Sequence, residues 1–181
     1  MKTLKMTASL RFLRAAALSG LVMLAASSTY SQTILNPGFE EGLSDWIPRM
    51  DRNMSTASAE AAHSGSFGLR IVDQDEKQGS GLLSLTTDAE AGKKYELSFW
   101  YRTTSGEGSV QVSLFFVNQD GKPLQKKPPT VLTDKSPEWK RFSVVAVAPE
   151  GTSGMFIQIH SVNAGTVVAD LDDFELKEVA N

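Results

Sequence analysis

Three stretches of the chain place residues suited to gripping a polyhydroxylated ring at alternate positions. Trp100 and Arg102 share one parity of Tyr95-Glu96-Leu97-Ser98-Phe99-Trp100-Tyr101-Arg102. Gln111, Ser113 and Phe115 share one parity of the stretch from Val110 to Phe116, and Phe156, Gln158 and His160 share one parity of the stretch from Met155 to His160. An aromatic face packs against the C–H face of a sugar, while amides, a guanidinium, a hydroxyl and an imidazole exchange directional hydrogen bonds with its hydroxyls. If the three stretches are neighbouring strands, Trp100, Arg102, Gln111, Ser113, Phe115, Gln158 and His160 line one groove, with Trp100 as its platform. The same pattern also suits an ordinary solvent-facing sheet, with Phe115 and Phe156 turned into the core. Tyr101 has the parity of Leu97 and Phe99 and is expected inside, and Trp46 and Trp139 are expected to be structural.

Support for catalysis is thin. The chain has two histidines, His63 and His160, and no cysteine. It lacks the H-E-x-x-H and G-x-S-x-G patterns of metal-dependent and serine hydrolases. Its 21 acidic residues permit many carboxylate pairs, but separation along the chain does not fix separation in space. Arg102, Gln111 and His160 overlap with the residue types of β-sandwich polysaccharide lyases, without a tyrosine of matching parity. The expectation is therefore no enzyme.

The elements that must position these residues are strands. Period-two alternation runs through 67–72, 81–86, 95–102, 110–116, 141–147, 155–160 and 166–171. Turn-forming residues separate them, among them Ser105-Gly106-Glu107-Gly108, Asn118-Gln119-Asp120-Gly121, Pro149-Glu150-Gly151 and Asn163-Ala164-Gly165. No amphipathic helix intervenes, so parallel βαβ units are excluded and an all-β, antiparallel β-sandwich of one domain is expected. Pro128-Pro129 belongs to an irregular loop or a sheet edge.

Residues 1–31 read as a signal peptide. Lys2, Lys5, Arg11 and Arg14 precede an apolar run from Ala15 to Ala26, followed by Ser27 and Ser28. The run is shorter than the roughly 20 residues that span a bilayer. No cysteine follows it to take a lipid, so a secreted or periplasmic product without membrane insertion is expected. The leader holds four of the 18 basic residues and none of the 21 acidic ones, leaving residues 32–181 at 14 against 21, a net −7. That charge is poorly suited to nucleic acid or to anionic membrane surfaces.

Four segments, in order, carry a resemblance. They are Ile34-Leu35-Asn36-Pro37-Gly38-Phe39-Glu40, His63-Ser64-Gly65-Ser66-Phe67-Gly68-Leu69, Ala91-Gly92-Lys93-Lys94-Tyr95-Glu96-Leu97-Ser98-Phe99-Trp100 and Val168-Ala169-Asp170-Leu171-Asp172-Asp173-Phe174-Glu175-Leu176. The set resembles the CenC-like carbohydrate-binding modules of families 4, 9 and 22, which have a galactose-binding-like jelly roll. The resemblance covers residues 34–178. It implies a non-catalytic jelly roll that binds a polysaccharide or glycan, with a separate carbohydrate-active enzyme as a further partner. It also implies a structural calcium (Ca2+) at Glu40, a backbone carbonyl of the Ser64–Ser66 turn, and Asp172 with Asp173. The parity of Asp172 with Phe174 and Leu176 agrees, because a core-facing carboxylate needs a cation or several hydrogen bonds. A second reading is an envelope structural or adhesive protein using the same sandwich for protein contacts.

Overall fold

The structure is a computed structural model that describes residues 34–162 and 165–180, and the backbone of 31–32. The leader assigned to residues 1–31 lies outside the described residues except for the backbone of Ser31, as do Asn163 and Ala164 of one turn.

Among the described residues twelve strands form two antiparallel sheets. They are β1 (Ser31–Gln32), β2 (Trp46–Pro48), β3 (Ser55–Ser58), β4 (Gly68–Asp73), β5 (Leu82–Ser84), β6 (Thr87–Asp88), β7 (Lys94–Gly106), β8 (Val110–Val117), β9 (Thr130–Leu132), β10 (Lys140–Val147), β11 (Gly154–Ser161) and β12 (Val167–Val179). The first sheet runs β10-β7-β12-β4-β3, with β1 on the end of β12, and the second runs β2-β5-β11-β8-β9, with β6 beside β11. Each stretch with period-two alternation contains a strand, although of 81–86 only Leu82–Ser84 pairs. The short strands β1, β2, β3, β6 and β9 carry too few residues to show a period. β9 follows Pro128-Pro129 at the edge of the second sheet, where a missing ladder donor costs nothing.

Alternation builds the core. Leu97, Phe99 and Tyr101 of β7, with Leu69 and Ile71 of β4, face Val112, Leu114 and Phe116 of β8 and Met155, Ile157 and Ile159 of β11, all fully or almost fully buried. The opening segment plugs one end. The Asn36 side chain donates to the carbonyls of Gly42 and Ser44, while Trp46 Nε1 donates to the Asn36 carbonyl. This holds Phe39 and Trp46, ring centroids 4.9 Å apart, against Phe174. Trp46 is structural, as its sequence position implies.

One parity expectation fails. Asp172 pairs with Trp100 and Asp170 pairs with Arg102, so both acids lie on the outer face of the first sheet. The register then shifts between Asp172 and Glu175, with Asp173 in the left-handed region at φ 50°. This β-bulge returns Phe174 and Leu176 to the core, leaving Asp172 on the opposite face. Asp172 is nevertheless buried, because the segment through the 3-10 turn Ala59–Ala61 and residues 62–67 covers that face.

Candidate functional site

The outer face of the second sheet carries a graded surface. At one end Phe156 of β11 pairs with Phe115 of β8, and their half-buried rings stack at 5.0 Å and 6°. The next row reads Ile47, Leu83, Gln158, Ser113 and Thr130 across β2, β5, β11, β8 and β9. The third row places His160 beside Gln111 and Gln111 beside Leu132. Rows of one face lie about 7 Å apart along the strands, so the surface passes from rings to amides to an imidazole over little more than a disaccharide's length.

Hydrogen bonds fix the amide row. Thr130 Oγ1 donates to the Pro128 carbonyl at 2.9 Å and receives Ser113 Oγ at 2.9 Å, and Ser113 in turn accepts Gln111 Nε2 at 3.2 Å. Ser113 is fully buried. Its hydroxyl therefore orients Gln111 and does not reach a ligand, which corrects its place among the contact residues. His160 Nδ1 lies against the Ser80 carbonyl. A carbonyl only accepts, so Nδ1 carries the hydrogen and Nε2 is left for other partners.

A cleft opens beside His160 and Gln158, lined also by Arg49, Met50, Arg52 and the segment Gln78–Gly81. Arg49 donates its backbone N–H to the Gly81 carbonyl at 2.7 Å, extending the third row to Arg49, Gly81, His160 and Gln111. Gly81 is required there, since a Cβ would lie 2.2 Å from the Arg49 carbonyl oxygen. The bare Gly81 backbone lets the Arg49 carbonyl pack directly against it. Sequence reasoning missed Arg49, Met50 and Arg52 because they lie in a loop without periodicity.

Trp100 and Arg102 do not join this surface. Both lie on β7 of the first sheet, whereas Gln111, Ser113 and Phe115 lie on β8 and Gln158 and His160 on β11 of the second. The Trp100 ring stacks on His63 at 4.1 Å and 15°. Arg102 is held on its own side: Nε donates to Asp170 at 2.9 Å, Nη2 to the Glu60 carbonyl at 2.6 Å, and its guanidinium carbon sits 4.7 Å from the Trp139 ring centroid. Fully buried Asp170 also receives Arg70 through Nε at 2.8 Å and Nη2 at 3.1 Å, and Arg70 pairs with Glu60. This face is an internal ion network, with Trp139 packed into it.

The four residues assigned to calcium gather around one loop. Glu40 accepts the N–H groups of Ser66 at 2.9 Å and Phe67 at 3.1 Å. Asp172 accepts those of His63 at 2.7 Å, Ser64 at 3.1 Å and Asp173 at 2.7 Å. Asp173 accepts Ser64 Oγ at 2.6 Å and lies 2.6 Å from His63 Nδ1. Burial pushes the Asp172 carboxyl above its ordinary value and the Asp173 charge adds to the rise, while the three amide donors draw it back. The Ser66 group turned toward Glu40 is its N–H. Gly38 keeps a gap open between the acids, since a Cβ there would lie 3.4 Å from Asp172 Oδ1 and 4.0 Å from Glu40 Oε1. Hard anionic oxygens around such a gap fit calcium. Among the described residues no three His, Asp or Glu side chains form a metal cluster, so carbonyls would have to complete the shell.

Comparison with known proteins gives a consistent picture. Residues 31–165 match the model of a family described as a carbohydrate binding domain. The chain is 27% identical over 152 residues to endo-1,4-beta-xylanase A of Thermotoga maritima, covering 82% of this chain but only 13% of that enzyme. The CBM22-1 xylan-binding domain of Xyn10C from Paenibacillus barcinonensis superposes with a TM-score of 0.58 at 16% identity, over 80% of this chain and 92% of that one. A cyclase from Fischerella sp. TAU superposes with a TM-score of 0.67 at 18% identity, over 84% and 98%. At these identities both structural likenesses speak for the fold.

Proposed function

Because the chain belongs to the carbohydrate binding domain family that its residues 31–165 match, we propose that it is an exported, non-catalytic protein that binds a polysaccharide along the outer face of the second sheet. The observation that carries this reading is the stacked Phe115–Phe156 pair sharing one face with Gln111, Gln158 and His160. The rings form the platform for a sugar's C–H face, and the three polar side chains take its hydroxyls. Ser113 holds Gln111 in place. The leader-like residues 1–31 support secretion or a periplasmic location. Among the described residues no helix is long and apolar enough to cross a membrane.

A non-catalytic role is supported by the family's description as a carbohydrate binding domain. The xylanase likeness, confined to a small part of that enzyme, points to a β-1,4-linked xylan as ligand and to a separate carbohydrate-active enzyme as partner. Calcium between Glu40 and Asp172 would pin the opening segment to β12, a structural role remote from the binding face.

Depletion from solution by insoluble xylan, galactan and cellulose tests the proposal, with reducing ends measured in the same incubations. Retention on one of them without new reducing ends is expected. Gln158→Ala should weaken it about two- to twelvefold, the worth of one hydrogen bond. Release of reducing ends, or retention indifferent to Gln158→Ala, would overturn the reading.

A further inference from the structure

The chemistry of the cleft narrows the ligand. Among the described residues its charged lining is Arg49 and Arg52, beside the imidazole of His160, and no carboxylate lines it. The chain as a whole is acidic, 21 acids against 18 bases, so this is a local reversal of sign.

The loop achieves that reversal at a conformational cost. Met50, Arg52 and Asn53 all lie in the left-handed region, at φ 57°, 54° and 60°. Each such non-glycine residue is unfavourable and persists only where surroundings over-determine it. The surroundings here are Asp51. Only 4% exposed, it accepts Ser55 N at 2.9 Å, Ser55 Oγ at 2.6 Å and Gly81 N at 3.1 Å. The one acid of Arg49-Met50-Asp51-Arg52 is thus turned inward, and the two arginines are left at the rim. Among the described residues neither guanidinium forms a salt bridge. Arg52 donates only to the Met50 carbonyl, at 3.1 Å. The nearby acids of the 74–80 segment, Asp75 and Glu76, do not line the cleft, and Asp75 accepts Lys77 N.

We infer that the glycan taken by this face carries an anionic substituent, a carboxylate or a sulfate, that docks between Arg49, Arg52 and His160. The inference rests on the sheet-face reading above. The forked guanidinium donors match a planar carboxylate or a sulfate oxyanion, and the cleft that Arg49, Arg52 and His160 line leaves room for the group. A neutral chain laid over Phe115 and Gln158 would leave both cations solvated; a decorated one would pair them.

Binding of the intact protein to two matched pairs of soluble polysaccharides tests this: glucuronoxylan against the same polymer with its carboxyls reduced to alcohols, and a sulfated galactan against its desulfated form. The charged member of at least one pair should bind about two- to thirtyfold more tightly, the range two partly exposed ion pairs supply. The preferred pair identifies carboxylate or sulfate. The ratio should fall toward one in Arg49→Ala/Arg52→Ala and in high salt, where exposed pairs are screened. Equal binding within both pairs would overturn the anionic inference and leave the glycan reading standing. Binding to none of the four, with none to xylan, galactan or cellulose either, would overturn both.

Discussion

The two outer faces of the sandwich can be told apart by a pair of truncations that act on different observables. Trp100→Ala removes a half-buried indole stacked on His63 at 4.1 Å from the face carrying the ion network. Full burial would make the loss 3–5 kcal/mol, so half-burial leaves about 2 kcal/mol. For a chain of this length that lowers Tm by roughly 4–8 °C. Phe156→Ala acts on the other sheet, where the ring is half of a pair stacked at 5.0 Å and 6°. A sugar laid on the pair would cover roughly a quarter of the ~200 Å² an aromatic side chain presents. At about 25 cal/mol per Å² that contact contributes ~1.2 kcal/mol, or roughly an eightfold change in Kd. Titration calorimetry with a soluble oligosaccharide reads the second effect and thermal melts read the first. Trp100→Ala should melt earlier and bind within twofold of the parent, while Phe156→Ala should bind roughly eightfold more weakly. The opposite pattern, with binding lost in Trp100→Ala and kept in Phe156→Ala, would place the ligand on the first sheet and refute the face assignment.

Two further outcomes concern what holds the fold. Asp170→Asn leaves Arg70 and Arg102 facing a neutral amide beneath the 59–67 segment, and breaking such a buried pair costs about 3–5 kcal/mol. The melt should fall by roughly 6–20 °C, and a shift under 2 °C would show that water already compensates these charges. For calcium, saturating chelator should lower the Tm of the metal-loaded protein by roughly 5–10 °C, the value of a ligand held at about a hundred times its Kd. An unmoved melt would mean that the amide donors around Glu40 and Asp172 suffice.

Period two made the architecture readable, because each long strand buries one parity against the other sheet. It separates Tyr101, which is fully buried, from Trp100, which is half-buried on the outer face. Parity names a face of a strand, however, and does not name the strand's neighbours. β7 and β8 follow one another through Glu107, Gly108 and Ser109 and read as a hairpin. Yet β7 pairs with β10 and β12, while β8 pairs with β11 and β9. The chain arches from one sheet to the other, so the proposed groove divides into two unrelated faces. The misplacement of Asp172 has a different cause. One extra residue in β12 inverts parity, and the only local sign is Asp172-Asp173, since aspartate tolerates the left-handed backbone that a bulge needs.

What separates a structural face from a binding face in this molecule is unspent hydrogen-bonding capacity. On the first sheet Arg70, Arg102 and Asp170 satisfy one another, and Asp172, Asp173 and Glu40 already accept bonds from the amides and hydroxyl of residues 63–67. A sugar hydroxyl arriving there would have to displace bonds already made, so it would gain little. On the second sheet the internal chain ends at Gln111, and His160 uses one ring nitrogen on Ser80 while its other has no partner among the described residues. The neighbouring guanidiniums of Arg49 and Arg52 lack a carboxylate among the described residues. Polar groups held rigidly by buried partners, yet with donors and acceptors left over, lose little entropy when they engage a ligand. That asymmetry ranks the faces independently of any aromatic residue, which is why Trp100, the largest side chain of the three strands first singled out, is the weaker guide.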